Sequence, residues 1–300
     1  MIRSTNLLLA LPLTALIFSS VACTQDDTLS ATETIQAIYR ARWAGDMLDR
    51  ALQATAPLSA MPAQASLEEA ETHLADLYDG CATLLREDDT LHVRVEESCA
   101  TPAYPCIGTY DLTKLPAGNG VIAVDGFKII PDALTCGEQA LAGTVELQQL
   151  PVSEGQPYPW LLSVEGLEHS DAREIDGEWV QFAAASDFHG DFYVQAHSIS
   201  TPSKDTLSLM VLAGQGTFTD VELGLDWEVD AMDLGMSLGM ATPRAGDLQL
   251  RSTPGSRYVF QTSWVALSAT ATRVTVRKDK QQWIGCISDG DAKECQELGY

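Results

Sequence analysis

The alternation of apolar and polar residues is what most restricts the folds open to this chain. From about Leu91 onward the period is two, and successive side chains of a strand point to opposite faces. Leu91, Val93 and Val95 alternate with His92 and Arg94. The longest case is 221–230, with Val221, Leu223, Leu225, Trp227 and Val229 on one face and Glu222, Asp226, Glu228 and Asp230 on the other. Leu234, Met236, Leu238 and Met240 continue the pattern. Phe192/Val194/Ala196, Leu207/Leu209/Val211, Leu248/Leu250 and Val274/Val276 add further segments. Turn signals fall between them at Asp125-Gly126, Asp176-Gly177, Pro254-Gly255 and Lys278-Asp279-Lys280. One dry face and one wet face belong to antiparallel sheet rather than to βαβ units. The chain is therefore expected to be mainly β, with a large antiparallel domain over 87–300 built as a sandwich or a partly open barrel.

Ahead of the sheet the period is helical. Ser30-Ala31-Thr32-Glu33 fits a capping box, and Ile35, Ile38, Tyr39, Trp43, Met47, Leu48 and Leu52 follow as one apolar stripe. Pro57 and Pro62 mark 53–65 as a linker. Ser66-Leu67-Glu68-Glu69 is a second capping box, continued by Ala70, Leu74, Leu77 and Tyr78 and stopped by Gly80. Residues 30–86 are thus expected to form two short amphipathic α-helices.

The first 23 residues have a different character. Arg3 precedes the apolar run Leu7–Phe18, and small residues lead to Cys23. That order is a secretory signal, and the run is too short to span a membrane as an ordinary helix. With cysteine just past the cut, the segment resembles the signal of a bacterial lipoprotein. The resemblance covers the signal alone. It implies that Ser20-Val21-Ala22-Cys23 is the lipobox, with Ser20 standing where leucine is usual. It further implies that residues 1–22 are removed, that Cys23 carries the lipid (palmitate among its acyl chains), and that 23–29 is the tether. Thr24, where an aspartate would retain the protein at the inner membrane, implies the outer membrane. The body would face the periplasm, or the cell surface as Asp26-Asp27 suggests.

Setting Cys23 aside leaves six of the seven cysteines: Cys81, Cys99, Cys106, Cys136, Cys286 and Cys295. An even set in an exported chain reads as a disulfide framework. Cys286 and Cys295 are expected to close their own loop, and Cys81–Cys99 and Cys106–Cys136 are the expected pairs among the rest. Zinc is the rival reading, but no CxxC occurs. The formal charge of −24 argues against nucleic acid and against lying flat on an anionic leaflet.

Three motifs invite chemistry. Gly235-Met236-Ser237-Leu238-Gly239 matches GxSxG, yet all five histidines precede it and it sits in a period-two run, so it reads as the small-residue face of a strand. Asp187-Phe188-His189-Gly190-Asp191 resembles the first DxH element of metallophosphoesterases, whose downstream elements are missing. It is also good turn chemistry, expected at a hairpin tip. Asp187, His189 and Asp191 are candidate metal ligands on the first reading. Asp289 and Asp291, with Glu294, could hold Ca²⁺ or another divalent ion in the Cys286–Cys295 loop. The acidic row 222–230 reads as a solvated face or a site for a basic partner. Trp160, Trp179, Trp227, Trp264 and Trp283 are expected mostly in the core. The leading expectation is a non-catalytic, lipid-anchored binding module with no cofactor, whose partner is an envelope protein, glycan or lipid. The alternatives are a metal-dependent envelope hydrolase using Asp187 and His189, and a carrier with an apolar ligand beneath the sheet.

Overall fold

The computed structural model describes residues 29–62, 64–101, 104–115, 125–137, 139–150, 160–175, 178–240, 242–253, 258–288 and 291–293, with backbone only for 31, 172–175, 178–179, 288 and 291–293. Cys23, Asp289 and Cys295 lie outside these residues, as does the side chain of Asp291.

Two α-helices precede the strands: α1 (Ala31–Thr55) and α2 (Leu67–Leu77). The strands follow in chain order: β1 (Ala82–Glu87), β2 (Thr90–Val95), β3 (Cys106–Leu115), β4 (Gly126–Pro131), β5 (Thr135–Cys136), β6 (Gln139–Ala140), β7 (Thr144–Gln149) and β8 (Trp160–Ile175). Then come β9 (Glu178–Ser200), β10 (Thr206–Asp220), β11 (Leu225–Met236), β12 (Ala245–Thr253), β13 (Val259–Ala266), β14 (Ala271–Lys278), β15 (Gln281–Ser288) and β16 (Asp291–Lys293). Apart from β5 and β6, which form a side hairpin on β3, each strand pairs antiparallel with the next along one path from β1 to β16. The protein is mainly β, as the period predicts. Its strands make one continuous, unclosed sheet rather than two stacked ones.

α1 departs from the expectation of two short amphipathic helices. It is one 25-residue helix, buried on nearly every side, and it touches β5, β7, β8, β9, β11, β12, β13 and β14. Strands from distant parts of the sheet thus face a single helix, which fills the space they enclose. Ala37, Ala41, Ala44 and Ala51 are fully buried and let backbones approach closely, while Met47, Leu48 and Leu52 supply volume. Core side chains of α1 and of the sheet form one hydrophobic cluster. A helix enclosed this way must also bury its polar residues, and Arg40, Asp49, Arg50 and Gln53 are all buried. Ser30 caps α1 by accepting from the Glu33 amide, and Ser66 with Glu69 forms the complete reciprocal box of α2. The expected linker begins only after α1 and a 3₁₀ turn at Ala56–Leu58. β1 starts at Ala82, so the sheet begins before the expected boundary at 87.

Cys81 and Cys99 are bonded, as are Cys106 and Cys136, the latter directly opposite each other on β3 and β5. Cys286 is buried and disulfide-bonded.

Two strand expectations need correction. Residues 221–224 form the turn between β10 and β11. The Asp220 carboxylate accepts from the Leu223 amide at 2.9 Å, Gly224 sits at φ 60°, and Val221 and Leu223 stand exposed rather than in the core. The alternation also breaks after Met236, because 237–240 turn inward and the Gly239 amide donates to the Asp49 carboxylate on α1 at 3.0 Å. Trp227 and Trp264 are deep in the core, whereas Trp160 and Trp283 are only partly buried.

Candidate functional site: a polar cleft on the outer face of the sheet

The segment 187–191 is no hairpin tip; it lies in the middle of β9. Phe188 and Phe192 keep the inward phase and are fully buried, with ring centroids 6.0 Å apart. The intervening His189 and Asp191 therefore face out. A bulge absorbs the positive φ of Asp187 (55°) without ending the strand. On the neighbouring strands the same alternation turns out Gln215 and Thr217 beside inward Phe218, and Glu228 and Asp230 beside inward Trp227 and Val229. Gln249 and Arg251 stand beside inward Leu248 and Leu250.

Register brings these residues into two rows. Asp191, Gln215, Asp230 and Gln249 are successive cross-strand partners, and so are His189, Thr217, Glu228 and Arg251. Gly190 and Gly216 are also paired, and a Cβ on Gly190 would stand 2.4 Å from the Gln215 carbonyl oxygen. Both glycines face inward against the Phe188 and Phe192 rings, and the outer surface above them holds a cleft of about 530 Å³. Spanning four strands, the rows cover about 14 Å, the reach of a short peptide or an oligosaccharide.

The lining divides into occupied and open groups. Asp191 accepts from the Ser163 hydroxyl at 2.5 Å, and Arg251 donates to Glu228 at 3.4 Å. His189 places Nδ1 2.9 Å from the Asp187 carbonyl and Nε2 2.8 Å from the Thr217 hydroxyl. A carbonyl only accepts, so Nδ1 carries the proton and Nε2 of the neutral ring accepts from Thr217. Among the described residues, Gln215, Asp230 and Gln249 have no hydrogen-bond partner for their side chains. They present a carboxylate between two amides to whatever enters the cleft.

A hydroxyl donating to an oriented imidazole is the start of a nucleophile–base pair. Acyl transfer would also need donors aimed at a developing oxyanion, and here the neighbouring amides lie in the sheet ladder that pairs β9 with β10. Ser237 of the GxSxG match sits in the turn after β11, whose Gly239 amide is committed to Asp49.

The expected metal ligands are not gathered either. Among the described residues, no group of three or more His, Cys, Asp or Glu side chains is placed to share a metal ion. Of the Asp187–Asp191 set, His189 and Asp191 line the cleft and Asp187 does not. Sequence reasoning missed Gln215, Thr217, Gln249 and Arg251. Each is an ordinary outward residue of its own strand, and only cross-strand register marks it.

A second polar cluster lies inside. His169 on β8 is held between Asp46 of α1 (Nδ1–Oδ2 2.7 Å) and Asp171 (Nε2–Oδ1 3.2 Å), and Asp171 also accepts from the Trp43 indole at 3.2 Å. Burial alone would lower the His169 pKa, but the two carboxylates outweigh it and hold the ring above its ordinary value. Burial would likewise raise Asp46, yet His169 and Arg50 keep its carboxyl below the usual range. With both ring nitrogens committed to carboxylates, the cluster ties α1 to β8 and leaves no atom for substrate. Arg40, nearer the start of the helix, ties α1 to β10, paired with Asp220 at 2.6 Å and stacked over the Trp227 ring at 4.8 Å.

No family model, no curated protein and no solved structure matches the chain.

Proposed function

We propose that this protein is a lipid-anchored lipoprotein of the bacterial outer membrane whose β-rich body binds a polar envelope partner, protein or glycan, without catalysis. The observation that carries the reading is the cleft across β9–β12, with Gln215, Asp230 and Gln249 open at its floor. A carboxylate flanked by two amides offers acceptors and donors together, which suits hydroxyls, amines and peptide groups. The lining carries Asp191, Glu228 and Asp230 against one arginine, so the cleft favours neutral or cationic groups. Among the described residues, neither a gathered ligand set nor oxyanion donors free of the sheet ladder support the hydrolase alternative. The contacts of α1 with the inner face of the sheet favour the binding module over the carrier alternative.

The test is comparative capture from envelope extract. The mature protein and a Gln215→Ala/Asp230→Ala/Gln249→Ala variant are each immobilised, and bound protein and glycan are identified by mass spectrometry. A species held by the first and lost by the second supports the cleft. Identical captured sets, with the variant shown to be folded, would refute it.

A further inference from the structure

The antiparallel meander sends alternate hairpins to the same end. The connections β8–β9, β10–β11, β12–β13 and β14–β15 share one rim, and side-chain contacts place the start of α1 there too. Glu33 pairs with Lys278 beside the β14–β15 turn, and Arg40 pairs with Asp220 beside the β10–β11 turn. At this rim four large apolar side chains lie open: Tyr39 (50% exposed), Val180 (43%), Val221 (45%) and Leu223 (45%). The Val221 amide bonds to the Ala184 carbonyl at 3.1 Å, which joins the β10–β11 turn to the strand that carries Val180. Away from this rim, Leu85, Ile130, Met232 and Ile284 stand beside polar cross-strand partners (His92, Asp111, Asp247 and Thr275), while Tyr193 lies between Leu161 and Ala213, and Val265 between Ala245 and Arg273. The rim is mixed in charge: Glu222 stands between Val221 and Leu223, Asp279 lies between Lys278 and Lys280, and Lys278 is paired with Glu33. Exposed apolar side chains gathered at one end of a sheet suit a bilayer interface, where they enter the acyl boundary.

We propose that this rim is the membrane-facing surface of the protein, with Tyr39, Val221 and Leu223 seated in the phospholipid interface. The proposal rests on the reading of Cys23 as the lipidated residue. Leu29, buried at the head of α1, is six residues from Cys23, so the tether reaches at most about 22 Å. The opposite end of α1 lies about 37 Å further off, so the anchor holds the α1-start end of the body nearest the bilayer. The Asp230 row of the cleft is six residues from the β10–β11 turn, about 20 Å along the strand. Seated this way, the cleft opens sideways, clear of the lipid and accessible to a partner in the aqueous space.

The test uses full-length lipidated protein in phosphatidylcholine–phosphatidylethanolamine vesicles, with the soluble Cys23→Ser form as reference and hydroxyl-radical labelling read by mass spectrometry. Labelling of Tyr39, Val221 and Leu223 is expected to fall about fivefold or more on vesicles, while Met232 and Ile284 stay unchanged. A Val221→Asp/Leu223→Asp variant, substituted only at exposed turn positions, should still float with vesicles but label at Tyr39 as the soluble form does. Flotation of the wild type with rim labelling unchanged would overturn the membrane-facing rim and leave the anchor standing. Failure of the wild type to float would overturn the anchor and the rim together. Continued protection of Tyr39 in the double variant would overturn the seated turn.

Discussion

Asp49 offers the sharpest physical test of how α1 is enclosed. It is 3% exposed, its Oδ1 accepts from the Gly239 amide at 3.0 Å, and its Oδ2 lies 2.7 Å from the Gln53 amide. Burial pushes its pKa up to about 7, and the nearby Asp46 carboxylate adds to the shift; the bonds from Gly239 and Gln53 and the Arg50 charge pull against it. The Gln53 carbonyl oxygen is buried without a partner. A protonated Asp49 can keep its bond to Gln53, because its hydroxyl can donate to the amide oxygen once the Gln53 amide turns over. The folded protein then binds a proton up to about pH 7 that the unfolded chain releases near 3.8. Stability must fall as pH rises between those values, by about 2 kcal/mol from pH 5 to pH 7 for this group. Asp49→Asn keeps the shape, accepts from Gly239 and donates to Gln53 at every pH. Urea denaturation followed by tryptophan fluorescence, with disulfides intact, should show the variant gaining about 2 kcal/mol on the wild type between pH 5 and pH 7. Parallel pH profiles would refute the protonated pair, and so would a variant less stable than wild type at pH 7.

His169 works in the opposite sense to an ordinary buried imidazole. Its raised pKa contributes stability in full below about 6.5, lost as pH rises through the folded value, and an NMR titration of its ring should show the elevated midpoint. Replacing it with phenylalanine takes one bond from each of two carboxylates, leaving Asp46 to Arg50 and Asp171 to the Trp43 indole, and should cost about 2 kcal/mol in the same urea assay. Arg40→Met leaves Asp220 charged, buried and without its partner, and is expected to cost about 3 to 5 kcal/mol. Gly246→Ala places a Cβ 2.1 Å from the Asp233 carbonyl at φ 80°, and should abolish the cooperative thermal transition seen by circular dichroism.

How far the sequence reaches depends on the range of the interaction that decides each feature. Period two predicted β2, β12 and β14 because alternation is local and each strand has one dry face. It overran at 221–224, where Asp220 captures a turn amide, and at 237–240, where Asp49 draws the turn inward; neither partner is visible in a period. The alternation also slips within β10, where Leu209 and Leu212 are buried and Val211 is not. Of the cleft, His189, Asp191, Glu228 and Asp230 drew notice for their chemistry. Gln215, Thr217, Gln249 and Arg251 did not, since only the pairing of four strands brings them together.

Composition and pattern by themselves determined an antiparallel β protein with helices at its start, both helix caps, and an even set of cysteines whose pairing the structure supplies. All of these are set by residues near one another in sequence or by the parity of a small set of cysteines. Tertiary structure alone decided that α1 is a single buried core helix rather than a surface stripe, because burial of its alanines, Arg40 and Asp49 requires strands from many parts of the chain. It also decided which wet-face residues share a cleft and which end of the sheet carries the exposed apolar turns, since both follow from register accumulated strand by strand.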